Sequence, residues 1–238
     1  MLAATLAATP ASAGTPDGPT LLTRTINYHD PDTTWMTQTV ELRIETGYAD
    51  GSTRMRLATL DYANATFLDR TEKDDRVLEQ ELRGGECRFF VDGVEETDAA
   101  LLEELGLSCD RAHMMRDYLS YLWGLPMKLH DPGTRLADEV RATVFQGQDV
   151  LDLMVTYDPE VGTDVWHIYV DPETGRLVGY AFYKTTAEEH GEYIVLEDEI
   201  IVGKARIPAR RSWYRVPGDE FLGTDTLIEG RVVNSAED

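Results

Sequence analysis

At 238 residues, 42% apolar and 28% charged, the chain has an ordinary globular composition, long enough for one large all-β domain or two small ones. Its formal charge of −22 is not ordinary. Such a surface repels phosphate backbones and anionic head groups, which excludes nucleic acid as a partner and polybasic docking on membranes. No apolar run approaches the ~20 residues of a membrane helix, so no stable membrane insertion is expected.

Residues 2–8 are a short apolar run, and Ala11-Ser12-Ala13 is a small-x-small site for a cut ahead of Gly14. Residues 1–13 read as a secretory signal shorn of its basic n-region. Residues 14–238 then form a single exported domain, periplasmic or secreted. From Pro19, the spacing of Leu21, Leu22, Ile26 and Tyr28 predicts a short helix ending at His29-Asp30-Pro31-Asp32. Val40, Leu42 and Ile44 alternate with charged residues, a half-wet strand. After Asp50-Gly51 the return strand is expected to turn Met55 and Leu57 inward, with Arg54 and Arg56 pointing out. Strands over 65–70, 77–82 and 87–91 extend a meander through turns at 72–75, Gly84-Gly85 and Asp92-Gly93.

The pattern then changes to helix. Thr97 or Asp98 can cap a turn or two through Leu101, Leu102 and Leu105, stopped by Gly106. A second helix from Asp110 to Gly124 sets Met114, Tyr118, Tyr121 and Leu122 along one face, and Pro126 forbids its simple continuation. Both are expected across one face of the sheet or in its open end. Strands resume over 139–145, 150–157, 165–170, 177–183, 192–200, 206–214 and 221–232, with turn signals spaced as in a sandwich or barrel. Pro208 fits an edge or bulged position.

Residues 165–183 read as two strands around Asp171-Pro172-Glu173-Thr174-Gly175. With Asp171 opposite Arg176, one side carries Trp166, Ile168, Val170, Leu177, Gly179 and Ala181. The other carries Val165, His167, Tyr169, Val178, Tyr180 and Phe182. Neither side is polar, so the pair should lie inside a large sheet with apolar cover on at least one side.

Chemistry is harder to find. There is no Gly-x-Ser-x-Gly elbow and no Gly-rich phosphate loop, so no catalytic residue and no cofactor are assigned. His29, Asp30 and Asp32 could hold a metal, but the close-spaced ligand pair of a zinc site is missing, and an Asp-Pro-Asp turn more often has its first Asp capping backbone amides. His167 reads as a hydrogen-bonded structural histidine. Cys87 and Cys109 either pair, as an oxidising compartment allows, or remain two buried thiols; spacing does not decide. The positive signal is an apolar surplus that includes Met114, Met115, Met127, Trp123, Trp166 and Trp213, suited to a greasy pocket.

Several stretches together resemble a bacterial exported family of unknown function. They are Tyr28-His29-Asp30-Pro31 before Trp35, Tyr121-Leu122-Trp123-Gly124-Leu125-Pro126-Met127-Lys128-Leu129 and Asp131-Pro132-Gly133-Thr134. The hairpin around Trp166 and Gly203-Lys204-Ala205-Arg206-Ile207-Pro208-Ala209 extend the likeness. That family in turn resembles the LolA/LolB lipoprotein-carrier fold. The resemblance implies a mainly β fold: a strongly curved antiparallel sheet or half-barrel with two or three helices in or across its concave face. It also implies a partner, a hydrophobic small molecule or lipoprotein acyl chain held in the concavity. The residues expected to line it are Leu42, Leu57, Met127, Leu153, Trp166 and Ile168, with Trp123 on the lid side. The Trp166 face is preferred because Gly179 and Ala181 would leave room there. The alternative is a structural or protein-interaction module whose own helices fill the core.

Overall fold

The computed structural model describes residues 14–64, 66–73, 75–184 and 190–233; the signal-like segment 1–13 lies outside them. A helix, α1 (Gly18–His29), precedes a first meander of β1 (Thr39–Tyr48), β2 (Thr53–Asp61), β3 (Phe67–Lys73), β4 (Arg76–Arg83), β5 (Glu86–Val91) and β6 (Val94–Glu95). Helices α2 (Ala99–Leu105) and α3 (Cys109–Gly124) follow. A second meander comprises β7 (Thr134–Phe145), β8 (Gln148–Tyr157), β9 (Val165–Val170), β10 (Leu177–Tyr183), β11 (Gly191–Val202), β12 (Ala205–Val216) and β13 (Glu220–Val233). All the strands join one antiparallel sheet in the order 6-5-4-3-2-1-13-12-11-10-9-8-7. The meanders therefore meet where β1 pairs with β13, while β6 and β7 remain as edges. The sheet is open. What holds of the half-barrel expectation is its coarser part, a mainly β protein with helices against an antiparallel sheet.

The connection from β6 to β7 runs from one edge of the sheet to the other through α2 and α3. It covers one face, here called inner, together with α1. On that face Val40, Leu42 and Ile44 are buried, and the register sets Leu42 opposite Ala58 and Ile44 opposite Arg56. This reverses the expectation for β2. Ala58 and Leu60 are the buried pair, whereas Met55 and Leu57 share the outer face with Glu45 and Arg43. Alternation then carries Arg56 inward, where a charge is tolerated because Asp69 meets its guanidinium at 2.8 Å.

The buried face of α3 also differs from expectation. Ala112, Met115, Leu119, Leu122 and Trp123 are buried, whereas Met114 and Tyr118 are 52% and 42% exposed. Both stripes are apolar, so periodicity does not choose between them. The ends do: Cys109 is disulfide-bonded to Cys87 on β5 (Cα–Cα 5.6 Å), and Trp123 is pinned against Arg211 on β12. The short α2, capped by Asp98 on the amides of Ala100 and Leu101, buries no residue.

In the β9–β10 hairpin Asp171 and Arg176 face each other as expected, with Val170 opposite Leu177. A bulge between Leu177 and Gly179 then shifts the pairing by one. Tyr180 and Phe182 join Trp166 and Ile168 on the inner face; Gly179 and Ala181 go to the other. The room predicted beside Trp166 is therefore filled by rings, with Phe182 and Tyr180 stacked at 4.8 and 5.8 Å. On the outer side Phe145 fills the space over Gly179, where any Cβ would collide with it, and stacks on Tyr169 at 4.2 Å. Apolar cover on both faces explains why the hairpin has no wet side.

Helix α1 lies on β7 and β12. Asp17 caps it, accepting from the Thr20 amide at 2.8 Å, and Leu21, Leu22 and Ile26 face the core. At its other end His29 is wholly buried. The Leu177 amide donates to Nε2 at 3.0 Å, so the ring proton sits on Nδ1 and is donated to the Arg206 carbonyl at 2.7 Å. Burial lowers the His29 pKa, a trend only partly opposed by that carbonyl. Asp30 accepts from the amides of Thr34 and Trp35 at 3.0 and 2.8 Å. The His-Asp-Pro-Asp turn is thus a latch between α1, β10 and β12, with both imidazole nitrogens already committed.

Candidate functional site

A gap in the packing lies beneath α3, where the helix crosses the hairpin-tip ends of β1, β2, β12 and β13. A cavity of about 260 Å3 opens there. Its apolar wall is Ile44, Met115, Leu119, Trp123, Trp213 and Leu222. Tyr118 closes one side, stacked on Trp213 with ring centroids 6.3 Å apart, and burial raises its phenol pKa so that the hydroxyl stays neutral. The polar wall holds Arg54, Arg56, Arg111, Thr46 and Asp225.

Each polar group has its own standing. Arg56 is bound to Asp69, whose other oxygen accepts from Gln80 at 2.9 Å. Asp225 accepts from Thr46 Oγ1 at 2.6 Å and from Trp213 Nε1 at 3.2 Å. Arg54 lies over the Tyr48 ring at 5.4 Å, and its Nε is buried without a hydrogen bond among the described residues. Arg111 is exposed on the first turn of α3. Behind the cavity Arg211 is buried, 3.5 Å from the Trp123 ring centroid, donating to the Pro208 carbonyl at 2.6 Å and to the Leu122 carbonyl at 3.4 Å. Burial lowers its pKa against the opposing pull of Tyr180 and Asp225. It meets the carbonyl end of α3 with its positive charge.

A second, shallower hollow of about 400 Å3 lies between the end of α3 and the β8–β9 loop, lined by Tyr121, Tyr157, Val161 and Trp166 among others. The hydroxyls of Tyr121 and Tyr157 touch, and burial pushes the Tyr157 phenol up to about 12.

The seven residues expected to line a concavity separate accordingly. Trp123 lines the main cavity and Trp166 the second hollow. Leu42, Met127, Leu153 and Ile168 are buried in the main core, packed by the protein itself. Leu57 lies on the outer face beside Arg43, Arg70 and Glu72. Two of the cavity arginines, Arg54 and Arg56, escape a reading that takes the phase of β2 from Met55 and Leu57. Counting back from Ala58 and Leu60 would have placed Arg56 and Arg54 inside.

Comparison with known proteins follows the fold. No curated protein sequence matches. A Vibrio parahaemolyticus domain named for outer membrane lipoprotein sorting superposes with a TM-score of 0.52 at 11% identity, over 93% of this chain and 94% of that one. A LolA superfamily protein from Nitrosomonas europaea gives 0.51 at 11% identity over 92% and 95%. A DUF1329 family protein from Desulfovibrio piger gives 0.52 at 9% identity over 94% and 96%. At these identities the likeness is one of fold. Residues 10–230 match the family of unknown function DUF6503, and the chain belongs to that family.

Proposed function

We propose that the protein is an exported binder of a hydrophobic ligand, a lipid or acyl chain sheltered between α3 and the inner face. The observation that carries this reading is the cavity itself, walled by Met115, Leu119, Trp123 and Trp213 in a fold shared with lipoprotein-sorting and LolA superfamily proteins. Burial of an aliphatic chain there would contribute about 25 cal/mol per Å2. The sheet acts as a trough bent around α3. In support, Cys109 is bonded to β5 while Tyr121, about 18 Å along the helix, packs on Trp166 of β9 at 5.1 Å. Across a flat sheet those strands would stand roughly 43 Å apart. The Cys87–Cys109 disulfide supports an oxidising, extracytoplasmic location. Of the residues first expected to touch ligand, Trp123 lines this cavity, Trp166 lines the second hollow, and Leu42, Met127, Leu153 and Ile168 belong to the packed core away from the ligand.

A second reading, an interaction module with a self-filled core, is favoured by the packing around Leu153 and Ile168. One experiment separates the two. The intact protein, purified without detergent, is extracted and analysed by mass spectrometry, then offered a neutral fluorescent acyl probe. The carrier reading expects co-purified lipid, probe retention through gel filtration, and loss of retention in Met115→Trp, which fills the cavity. A lipid-free extract and refusal of the probe would leave the self-filled module.

A further inference from the structure

We propose that the cavity beneath α3 takes a single-chain amphiphile with a carboxylate head, the head held by Arg54 and Arg111 and the tail lying along Met115, Leu119 and Trp213. This rests on the reading of the cavity as a lipid site and specifies the class of lipid.

The charge distribution is the first ground. On a chain of net charge −22, the cavity wall carries three arginines against one carboxylate. That carboxylate, Asp225, is occupied by Thr46 and Trp213 at 2.6 and 3.2 Å, and Arg56 is occupied by Asp69 at 2.8 Å. Arg54 and Arg111 are left without an ion pair among the described residues, the first with a buried Nε that makes no hydrogen bond. A buried guanidinium N–H without an acceptor is costly, and a ligand carboxylate supplies one in the planar, forked geometry that arginine matches. Arg111 also breaks a local rule, since it sits in the first turn of α3, where the helix dipole disfavours a cation. Its position has no return within the described fold and has one facing an anion.

Size is the second ground. A cavity of about 260 Å3 lies just under the roughly 300–1,000 Å3 of drug-sized sites. It has room for one chain of modest length; a phospholipid's two tails exceed it, as do the several chains of a lipoprotein anchor. Tyr48 and Tyr118, both at the mouth and partly exposed, supply rings where the head group meets water.

The test compares decanoate with decanol by calorimetry, on the intact disulfide-bonded protein and on Arg54→Gln and Arg111→Gln. Circular dichroism checks the fold; the exposed Arg111 variant serves if the Arg54 variant fails to fold. Decanoate should bind about 10- to 100-fold tighter than decanol, each methylene should add roughly four-fold, and the variants should lose the preference while keeping decanol affinity. Added salt should weaken decanoate alone. Equal binding of the two ligands, or a preference that survives both substitutions, would overturn the head-group assignment and leave the apolar trough standing. Refusal of both ligands would remove the trough and this inference with it.

Discussion

The inner face is covered by two helices that do different things. Under α1 the packing is complete: Gly18 backs onto the Ala137 carbonyl so closely that no Cβ would fit, Leu21 and Leu22 are buried, and His29 is bonded at both nitrogens. Under α3 there is space, walled by apolar side chains together with three arginines and one carboxylate. The interior arginines do not divide in the same way. Arg211 donates to two carbonyls and lies on the Trp123 ring, Arg54 lies over the Tyr48 ring, and each keeps a buried Nε without a hydrogen bond among the described residues. A protein that had simply filled its sheet with helices would have treated the two ends alike. Under the proposed reading, the α3 end is the one left for the ligand.

The contrast can be broken most forcefully at Leu153, which is 1% exposed beneath α1. Leu153→Ala should cost about 2–5 kcal/mol in urea unfolding and leave amphiphile affinity per folded molecule unchanged. A loss well below that range would mean the α1 half is not the tightly filled one. Next in size is the disulfide. Opening Cys87–Cys109 frees the N-terminal end of α3 and should lower stability by about 3 kcal/mol, read by denaturation with and without reductant; no change would show that α3 is held by packing alone.

The smallest effect concerns pH. The His29 pKa is lowered from its ordinary 6.5 by burial, so the unfolded chain takes up a proton that the folded chain refuses. The stability His29 contributes is complete above that ordinary value and is lost as pH falls below it. Melting temperatures from pH 8 to pH 5 should therefore fall more steeply in the wild type than in His29→Gln. Parallel curves would show that the latch does not titrate.

Much of the framework was legible in the sequence because it is local. The cap at Asp98, one of two candidates, the Asp171–Arg176 turn and most strands of the two meanders depend on residues near one another and stand close to where expected. However, β6 was not foreseen and β7 begins earlier, at Thr134. What failed were phases. One bulged residue at Val178 exchanged the faces of Tyr180 and Gly179, and Met55 and Leu57 outvoted Ala58 and Leu60 in β2 although only the latter pair meets the core. In α3 Met114 and Met115 are equally apolar, and the anchors that choose between them lie on β5 and β12. The cavity was the least legible part. It needs Arg54, Arg111 and Asp225 together, and those residues meet only through the pairing of β1 with β13 and the passage of α3 above it.

That pairing has a kinetic consequence. Every other neighbour in the sheet is a sequential hairpin, but the seam joins residue 39 to residue 233. Loop closure is least favourable there, so each meander can zip up alone while the seam waits for nearly the whole chain to emerge. Until then β1 and β13 both present open hydrogen-bonding rims, the template on which strands of neighbouring molecules pair. A chain truncated before β13 would leave β1 and β12 with such rims permanently and should be recovered as aggregate rather than as a smaller folded protein.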